Sequence, residues 1–325
     1  MTVQVSYDPI GGKEYPRNLE EFYRFFPDEK ACCIYLEHLR WPNGFICPGC
    51  GSGNSAWRTG RNLFLCSNCR RQVSVTANTI FEKTRKPLRL WFLAIWELTS
   101  QKYGANALGI KRVLSLGGYL TAWAWLQKLR RAMVRPDRDR LFGVVEVDES
   151  YVGGEEKGVR GRKTNQKAIV AIAVEMKDPK GFGRIRLRQV PDVSAESLVG
   201  FISDVVRPGA IIRTDGWGGY ASLQSKGFNH KITVLANSPD PAHVLMPGPH
   251  RISALFKRWL AGTYQGAVSN EHLDYYLDEY TFRFNRRTSR SRGLLFYRLV
   301  SQAVQTQHTS THLLFKQTGR GPRLS

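Results

Sequence analysis

Apolar residues recur along this chain with two different periods. Between Phe22 and Leu36 they lie at near-helical spacing, which predicts one or two short helices. A longer helical pattern begins at Pro87 and continues to Tyr103. The intervening residues 41–82 are rich in Gly, Asn and Cys and contain only short β-like runs. A small separate module is therefore predicted between the two helical regions.

Two shorter helical patterns follow, at residues 106–114 and 119–134, with a glycine pair between them. Helix, glycine turn and helix are the outline of a helix-turn-helix, whose second helix enters the major groove of DNA. On the buried side of that helix we expect Leu120, Trp123, Ala124 and Leu129. The residues predicted to face DNA are Tyr119, Thr121, Gln127, Lys128 and Arg131. A basic helical hairpin that packs inside the protein is the alternative interpretation.

Beyond a polar linker at residues 135–139, the pattern changes to short strands and then to alternating helices and strands. Three strands are predicted, at residues 142–147, 168–175 and 185–190. The alternating part is predicted as helix 195–205, strand 210–213, helix 219–226 and strand 232–235. Helical spacing returns at residues 250–260 and 272–284. This order predicts a mixed α/β domain.

The positive charge of the chain is unevenly distributed. The formal net charge is +21, from 48 Lys and Arg against 27 Asp and Glu. Residues 51–140 hold 17 basic and four acidic residues, and residues 280–298 hold six arginines and no acid. Such clusters favour binding to a polyanion such as DNA, because neutralised phosphates release counterions. Binding to a membrane surface is the alternative, although no strongly amphipathic basic helix is evident.

The composition is that of a folded protein, with 42% hydrophobic and 11% aromatic residues among 325, and it excludes wholesale disorder. The chain has no run of about 18 uncharged apolar residues, and its start lacks a basic segment followed by an apolar one. We therefore expect a cytoplasmic protein without a membrane partner. Six clustered cysteines fit a reducing compartment.

Two Cys-x2-Cys pairs separated by 15 residues are formed by Cys47, Cys50, Cys66 and Cys69. This spacing is typical of a site in which four thiolates hold one structural Zn²⁺. A chance arrangement or two redox-active pairs is the alternative. Cys32 and Cys33 lie on the helical apolar pattern and are predicted to be core thiols.

Two aspartates end predicted strands beside glycine-rich turns. Asp148 ends the run VVEVD, and Asp215 ends the run IIRTD. On neighbouring strands these carboxylates would converge, and divalent cations would relieve their repulsion, as in two-metal phosphodiester chemistry. Each aspartate alone is equally consistent with an ordinary turn. Glu146 is a reserve candidate, because it lies two residues before Asp148 on the same strand face.

A third group for this site is predicted at the start of a later helix. His250 precedes Lys257 by seven residues, which places both on one helical face. The imidazole could then reach a metal ion while the lysine reaches a phosphate. A helix-capping role is the alternative for His250.

The order of motifs resembles the insertion-sequence transposases of the DDE superfamily that carry an N-terminal zinc ribbon. Besides the ribbon, the matching segments are KxGxxAL and TAWxxLxKLRRAM within 102–133, VEVDESYVGG at 145–154, TDGWGGY at 214–220, HRIS and KRWLxGTYQG within 250–266, and HLDYYLDEYTFRFNRR at 272–287. The resemblance covers about residues 23 to 298, most of the chain.

This resemblance implies a ribonuclease H-like catalytic domain with two Mg²⁺ or Mn²⁺ ions. It places the first and second acids on Asp148 and Asp215, and the basic residue on Lys257. The third position, a glutamate in the superfamily triad, falls on His250, which is a known variant of the group, and Glu279 is the alternative third acid. The residues predicted to contact DNA in this part of the chain are Lys257, Arg258, Arg286 and Arg287.

The predicted fold class is therefore α/β, with a ribonuclease H-like catalytic domain preceded by a zinc ribbon and a helix-turn-helix. The predicted regions are the N-terminal helices and ribbon at 1–85, the helix-turn-helix at 86–138, the catalytic domain at 139–300 and a C-terminal tail at 301–325.

The expected function is that of a DNA transposase that binds the ends of an insertion sequence and catalyses metal-dependent strand cleavage and strand transfer. Its partners would be double-stranded terminal inverted repeats and target DNA, bound by a homodimer or larger assembly in the nucleoid. A catalytically inactive, transposase-derived DNA-binding regulator is one alternative. A junction or repair nuclease of the same fold is the other.

Overall fold

The described part of the chain folds as two compact units. The computed structural model describes residues 11, 13–53, 56–135, 137–154, 167–177, 179–234, 238–266, 268–289 and 291–316. One unit joins residues 11–135 to residues 289–316, and the other comprises residues 137–288. No helix in these ranges is both long enough and apolar enough to cross a membrane.

The first unit is a helical domain that carries a small sheet. Its elements are α1 (Leu19–Phe25), α2 (Glu29–Arg40), β1 (Ala56–Arg58), β2 (Phe64–Cys66), β3 (Gln72–Val73), α3 (Leu88–Ser100), α4 (Ala107–Val113), α5 (Tyr119–Ala132), α10 (Arg292–Ala303) and α11 (Thr311–Lys316). Side chains before the helices fix their starts: Asn18 accepts from the N–H of Glu21, and Asp28 accepts from the N–H of Ala31. The strands form an antiparallel sheet in the order β1-β2-β3.

Aromatic rings form much of the core of the first unit. The ring of Phe26 lies 4.8 Å from that of Phe92 and 5.7 Å from that of Phe296. Phe296 belongs to α10, whose apolar stripe packs on α3. Residues 289–316 therefore complete this core, whereas the sequence analysis placed residues up to 300 in the catalytic domain and a tail beyond them. Residues 317–325 of that predicted tail lie outside the described residues.

Helix α5 is packed on several sides. The ring of Trp125 stacks 3.9 Å from that of Trp91 on α3, and the ring of Trp123 stacks 4.9 Å from that of Phe315 on α11. This enclosure explains why α5 carries few exposed side chains after its first turn.

The predicted DNA-facing side of α5 is only partly accessible. Gln127 and Lys128 are buried, at 0% and 8% exposure, so their prediction as DNA contacts is wrong for this conformation. Leu120, predicted to be buried, is 60% exposed. Tyr119 is exposed, whereas Thr121 and Arg131 are half-buried. Arg131 donates to Thr309, which further separates it from solvent.

The second unit is a five-stranded mixed sheet covered by helices. Its elements are β4 (Val144–Val152), β5 (Ala168–Met176), β6 (Phe182–Val190), α6 (Ala195–Val205), β7 (Ile211–Thr214), a 3₁₀ helix (Gly218–Lys226), β8 (Asn229–Ile232), α7 (Ala242–Leu245), α8 (Pro247–Tyr264), a short 3₁₀ helix (Asn270–His272) and α9 (Leu273–Phe284). The strand order is β6-β5-β4-β7-β8. Strands β4, β5 and β6 pair antiparallel, and β7 and β8 run parallel to β4.

Alternation along β4 divides its side chains between the two faces of the sheet. Val145 and Val147 enter a core that includes Ile202 of α6 and Tyr220 of the first 3₁₀ helix. Glu146 and the following alternate residues of β4 therefore lie on the opposite face, where α8 packs on β4 and β5. That face carries the candidate active site.

Candidate active site and zinc site

The four predicted zinc ligands come together in the first unit. The sulfurs of Cys47, Cys50, Cys66 and Cys69 all lie within 4.8 Å of one another, and no other set of three or more such ligands does so among the described residues. The Cys47 and Cys69 sulfurs are 3.6 Å apart, and those of Cys50 and Cys66 are 3.8 Å apart. Four thiolates at this spacing suit a tetrahedral Zn²⁺ and leave no open position.

The turns around the cysteines favour thiolates. The N–H of Gly49 donates to the sulfur of Cys47 at 3.4 Å. The pKa of the Cys50 thiol is lowered to about 6, first by the N–H of Ser52 and then by the side-chain amide of Asn68. Because a thiolate is the form that binds metal, these donors favour cation binding at the first cysteine pair. At Cys69, the N–H of Arg71 lowers the pKa, but burial and the neighbouring thiols outweigh it and raise the pKa to about 11. Cys32 is buried and Cys33 half-buried on α2, outside the cluster, as the sequence analysis expected.

In the second unit, Asp148 lies inside β4, which continues to Val152, and Asp215 directly follows the adjacent parallel strand β7. The prediction that Asp148 ends its strand is therefore wrong, because β4 stays paired with β5 beyond it. The last aligned pair of β4 and β7 is Glu146 opposite Arg213. Asp148 and Asp215 each lie two residues further along the chain, so they extend this register. Besides burial, the charges of both carboxylates act on the hydroxyl of Tyr220 and raise its pKa, so the two groups lie near one another.

Local hydrogen bonds orient both carboxylates. Asp148 Oδ1 accepts from the N–H of Glu149 at 2.8 Å, and Asp215 Oδ1 accepts from the N–H of Trp217 at 3.1 Å. The buried hydroxyl of Tyr220 donates to Glu149 Oε2 at 3.0 Å. Burial, followed by the charges of Glu149, Asp148 and Asp215, raises the pKa of Tyr220, so its hydroxyl stays protonated beside three acids.

Glu146 is engaged in structure and is not available as a metal ligand. Its carboxylate is fully buried, pairs with Arg213 Nη1 at 3.0 Å and accepts from the N–H of Gly248 at 2.8 Å. Arg213 Nη2 also donates to the carbonyl of Leu245 at 2.9 Å. A Cβ at Gly248 would lie 2.8 Å from Glu146 Oε2, so only glycine allows this approach. This network fixes the start of α8 against β4 and β7.

His250 stands two residues beyond that anchor and faces the first aspartate. Its Nε2 lies 4.0 Å from Asp148 Oδ2. This nitrogen is buried and has no hydrogen-bond partner among the described residues. Burial, with a smaller contribution from the charge of His243, lowers the pKa of His250, which keeps the imidazole neutral near pH 7. A buried, neutral and unpartnered ring nitrogen beside a carboxylate fits a metal ligand.

A cavity of about 370 Å³ brings these groups together with the predicted lysine. Asp148, His250 and Lys257 all line it. The hydroxyls of Ser150 and Ser253 lie 2.6 Å apart and link β4 to α8 at its wall. Burial and then the charge of Lys167 lower the pKa of Lys257. The cavity is therefore acidic at one end and basic at the other.

The remaining predicted residues lie elsewhere in the second unit. Glu279 is buried in α9, where it accepts from Arg283 Nε at 2.8 Å, and it does not line the cavity. The guanidinium groups of Arg286 and Arg287 lie 4.0 Å over the rings of Phe282 and Phe284, respectively, and both donate to backbone carbonyls. Arg258 is exposed on α8.

Sequence reasoning missed Tyr220, Arg213 and Ser253 as parts of this site. Tyr220 lies five residues after Asp215 in the same glycine-rich motif, which was the available signal. Arg213 stands two residues before Asp215 on an otherwise apolar strand, where a charge needs a partner. Ser253 follows His250 by three residues and shares its helical face.

Comparisons with known proteins agree with the motif order. Residues 140–285 match the ISXO2-like transposase domain, and residues 27–72 match the transposase zinc-ribbon domain. A relative described as an uncharacterized protein in transposable element ISH50, from Halobacterium salinarum, is 27% identical over 277 residues, which cover 79% of this chain and 91% of the relative. The resemblance inferred from the motifs is confirmed.

Proposed function

We propose that this chain, which has the two domains of an insertion-sequence transposase, binds the ends of its element and catalyses metal-dependent DNA strand cleavage and strand transfer. The observation that carries the proposal is the placement of Asp148 in β4 next to Asp215 after the parallel strand β7, with His250 Nε2 4.0 Å from Asp148 Oδ2. The cavity beside them, with Lys257 on its wall, offers a place for a phosphodiester.

The strand order supports a ribonuclease H-like catalytic fold. Strands β4, β5 and β6 are antiparallel, and β7 and β8 extend the sheet on the other side of β4 as parallel strands. Asp148 lies inside β4, and Asp215 directly follows β7. Helices cover both faces of this sheet. The proposed fold would therefore place one acid inside the central strand and the other at the end of its parallel neighbour.

The donor set fits Mg²⁺ or Mn²⁺. Two carboxylates supply hard oxygen ligands, and the unpartnered Nε2 of His250 supplies a nitrogen. These ligand atoms are more widely spread than the four cysteine sulfurs. Ligand atoms at this separation would suit two ions about 3.5 to 4 Å apart better than a single ion bound by all three groups.

When bound, the ions would activate the attacking oxygen and stabilise the leaving one. Asp148 and Asp215 would hold them, and His250 would complete the ligand set from α8. Lys257 would bind a non-bridging phosphate oxygen with its ammonium group. The wall formed by Ser150 and Ser253 would limit water at the reacting phosphate. The attacking group is water in the cleavage step and the freed 3′ hydroxyl in strand transfer.

The zinc ribbon would be structural and the helix-turn-helix region would contact duplex DNA. Residues Tyr119 and Thr121 at the start of α5 are the accessible candidates, whereas buried Gln127 and Lys128 are not proposed. Arg258 on α8 is a further candidate for phosphate contact. We also propose a dimer or larger assembly on paired element ends, in the nucleoid of the cytoplasm.

A catalytically inactive DNA-binding regulator is the second candidate function. It would need the zinc ribbon and α5 but not the anchored start of α8. The ion pair of buried Glu146 with half-buried Arg213, which fixes that start beside Asp148, favours the enzyme.

The test is a cleavage assay with the full chain, a labelled duplex carrying the element's own ends, and Mg²⁺ or Mn²⁺. Asp215→Asn keeps size but removes the charge that holds a cation, so we expect cleavage to fall at least about 10³-fold with DNA binding intact. Asp204→Asn, at an exposed surface acid paired with Arg188, is the matched control and should cleave normally. Cleavage by Asp215→Asn near the parent rate would exclude the metal mechanism. Loss of DNA binding would mean that Asp215 is only a structural turn residue.

A further inference from the structure

The zinc-ribbon segment has an extreme charge composition. The 41 residues from Trp41 to Phe81 contain four arginines and no acid or lysine. Arg58 lies over the ring of Phe64 and pairs with Glu37 of α2, so one of the four charges is neutralised. Arg61, Arg70 and Arg71 have no ion pair with an acid among the described residues.

Cross-strand register places a row of side chains on one face of the ribbon sheet, exposed at both ends and half-buried in the middle. Trp57 pairs with Leu65, and Leu65 pairs with Gln72. Directly opposed residues share a face, and this face is the one turned away from buried Phe64 and its neighbours. Two strand spacings make the row about 10 Å long.

An arginine lies at each end of this row. The guanidinium of Arg70 stands 5.5 Å from the centre of the Trp57 ring, which is 53% exposed. Arg61 Nη2 donates to the side chain of Gln72 at 3.1 Å. We call Trp57, Leu65, Gln72, Arg61 and Arg70 the outer strip.

Arg70 occupies a backbone position that favours glycine. The two cysteine turns are equivalent: the N–H of Gly51 donates to the carbonyl of Cys47 at 2.9 Å, and the N–H of Arg70 donates to the carbonyl of Cys66 at 3.0 Å. Both residues are left-handed, with φ of 71° for Gly51 and 58° for Arg70. Glycine adopts this conformation without the steric cost that a side chain brings. The second turn therefore carries an arginine where glycine would fold better.

A residue kept against backbone preference points to a role for its side chain. The Arg70 guanidinium has no acid partner among the described residues and lies over an exposed indole. An acidic peptide could also be bound by arginines. The outer strip favours nucleic acid because its two cations lie at opposite ends of a flat, uncharged row, which suits successive phosphates along a backbone.

We propose that the outer strip binds the sugar–phosphate backbone of duplex DNA, with Arg61 and Arg70 on phosphates and Trp57 packed against the sugar between them. This inference rests on the proposed function, since it assigns part of the DNA contact to a surface distinct from the catalytic cavity. The ribbon would then be a DNA-binding element in its own right as well as a metal-held fold.

The test compares two full-length variants. Each variant replaces a basic residue of left-handed backbone conformation with glycine and so removes one positive charge. Arg70→Gly lies in the outer strip, whereas Lys83→Gly, at φ 56°, lies beyond the ribbon strands. Affinity for an element-end duplex is measured at several salt concentrations without added divalent cation. Zinc content and melting temperature are measured on the same samples.

We expect Arg70→Gly to bind DNA about 3- to 10-fold more weakly at 0.1 M salt, with a log–log salt slope shallower by about 0.9, the change for one lost phosphate contact. Its zinc content should match that of the parent, and its melting temperature should equal or exceed the parent's melting temperature. Lys83→Gly should keep the parent slope. Trp57→Ala should lower affinity without changing the slope.

Parent-like affinity and slope in Arg70→Gly would overturn the inference while leaving the proposed function intact. Lower melting temperature or lost zinc in that variant would also overturn it, because Arg70 would then serve the fold. If Arg70→Gly keeps the parent's affinity for DNA but loses the parent's affinity for an acidic peptide, the strip binds a protein partner instead. Failure of the parent chain to bind any DNA would refute the proposed function itself.

Discussion

The two candidate metal sites of this protein are built in opposite ways. The four cysteines lie within 23 residues of sequence, from Cys47 to Cys69, and their sulfurs converge through two equivalent turns. The acids and histidine of the second unit span from Asp148 to His250, on a strand, after another strand and on a helix. One site is made by local turns, and the other by an entire folded sheet.

This difference decides what each metal would do for the protein. The ribbon strands are two or three residues long and offer a small core, so the metal must supply much of the folding free energy. The second unit buries Val145, Val147 and Ile212 in a continuous core with α6, so its scaffold does not depend on the catalytic ions. Loss of ligands should unfold the ribbon but leave the sheet intact.

The largest expected effect is loss of the ribbon fold in the full-length Cys66→Ser protein. Structural zinc sites in small domains contribute about 10 to 16 kcal/mol of apparent binding free energy, which cannot be replaced by this core. Metal analysis should find no stoichiometric zinc, and hydrogen exchange should show rapid exchange in 41–81 with protection kept in β4 and β5. Cys33→Ser, outside the cluster, is the control and should retain zinc. A zinc-free variant whose ribbon amides stay protected would contradict the expectation that the ribbon needs its metal to fold.

The next effect concerns the ion pair that anchors α8. Arg213→Ala leaves the buried Glu146 carboxylate without its half-buried partner and should destabilise the second unit by about 1 to 3 kcal/mol. Denaturant unfolding followed by exchange in β4 and β7 measures this loss. The double variant Glu146→Leu with Arg213→Met should recover much of the stability, because no unpaired charge remains.

That double variant separates stability from positioning. It removes the acceptor for the Gly248 N–H and the donor to the Leu245 carbonyl, so the start of α8 is no longer held against β4. We expect a stable protein that cleaves DNA poorly. Full cleavage by the double variant would show that the anchor serves folding alone.

Sequence patterns predicted the local features and missed those set by packing between elements. The spacing of the cysteines and the strand end before Asp215 needed only local geometry. Sequence pattern missed that β4 continues through Asp148 to Val152, because pairing with β5 sets that end. The periodicity of α5 correctly predicted a helix, but not its faces, because rings from α3 and α11 enclose it and bury Gln127 and Lys128. An apolar stripe identifies one buried face of a helix. It does not indicate how many other elements will pack on the remaining faces.

The ends of strands and the assignment of helices to the two units were likewise not predictable from local sequence patterns. The last strand was predicted at 232–235, whereas β8 comprises Asn229–Ile232, because pairing with β7 rather than apolar content fixes its register. No helix was predicted at residues 292–303, where α10 packs on α3, more than 190 residues earlier in the chain. The Glu146 network was likewise invisible, since it needs three segments to meet.

The smallest predicted effect is a shift in the pH dependence of cleavage. Burial lowers the pKa of His250, so a neutral imidazole persists below its ordinary range near 6.5, and cleavage should be lost as pH falls through that depressed pKa. His250→Glu should extend cleavage to lower pH, because a carboxylate stays ionised down to about 4.3. His243→Gln removes a nearby positive charge that lowers the His250 pKa, so the acid limb should move slightly to higher pH. The measurement is the cleavage rate of the parent, His250→Glu and His243→Gln between about pH 5 and 8 with Mn²⁺. The ordinary pKa values of glutamate, about 4.3, and of histidine, about 6.5, are the references. Superimposable profiles for the parent and His250→Glu would mean that His250 only begins its helix, and that the sheet-built site is completed by another group.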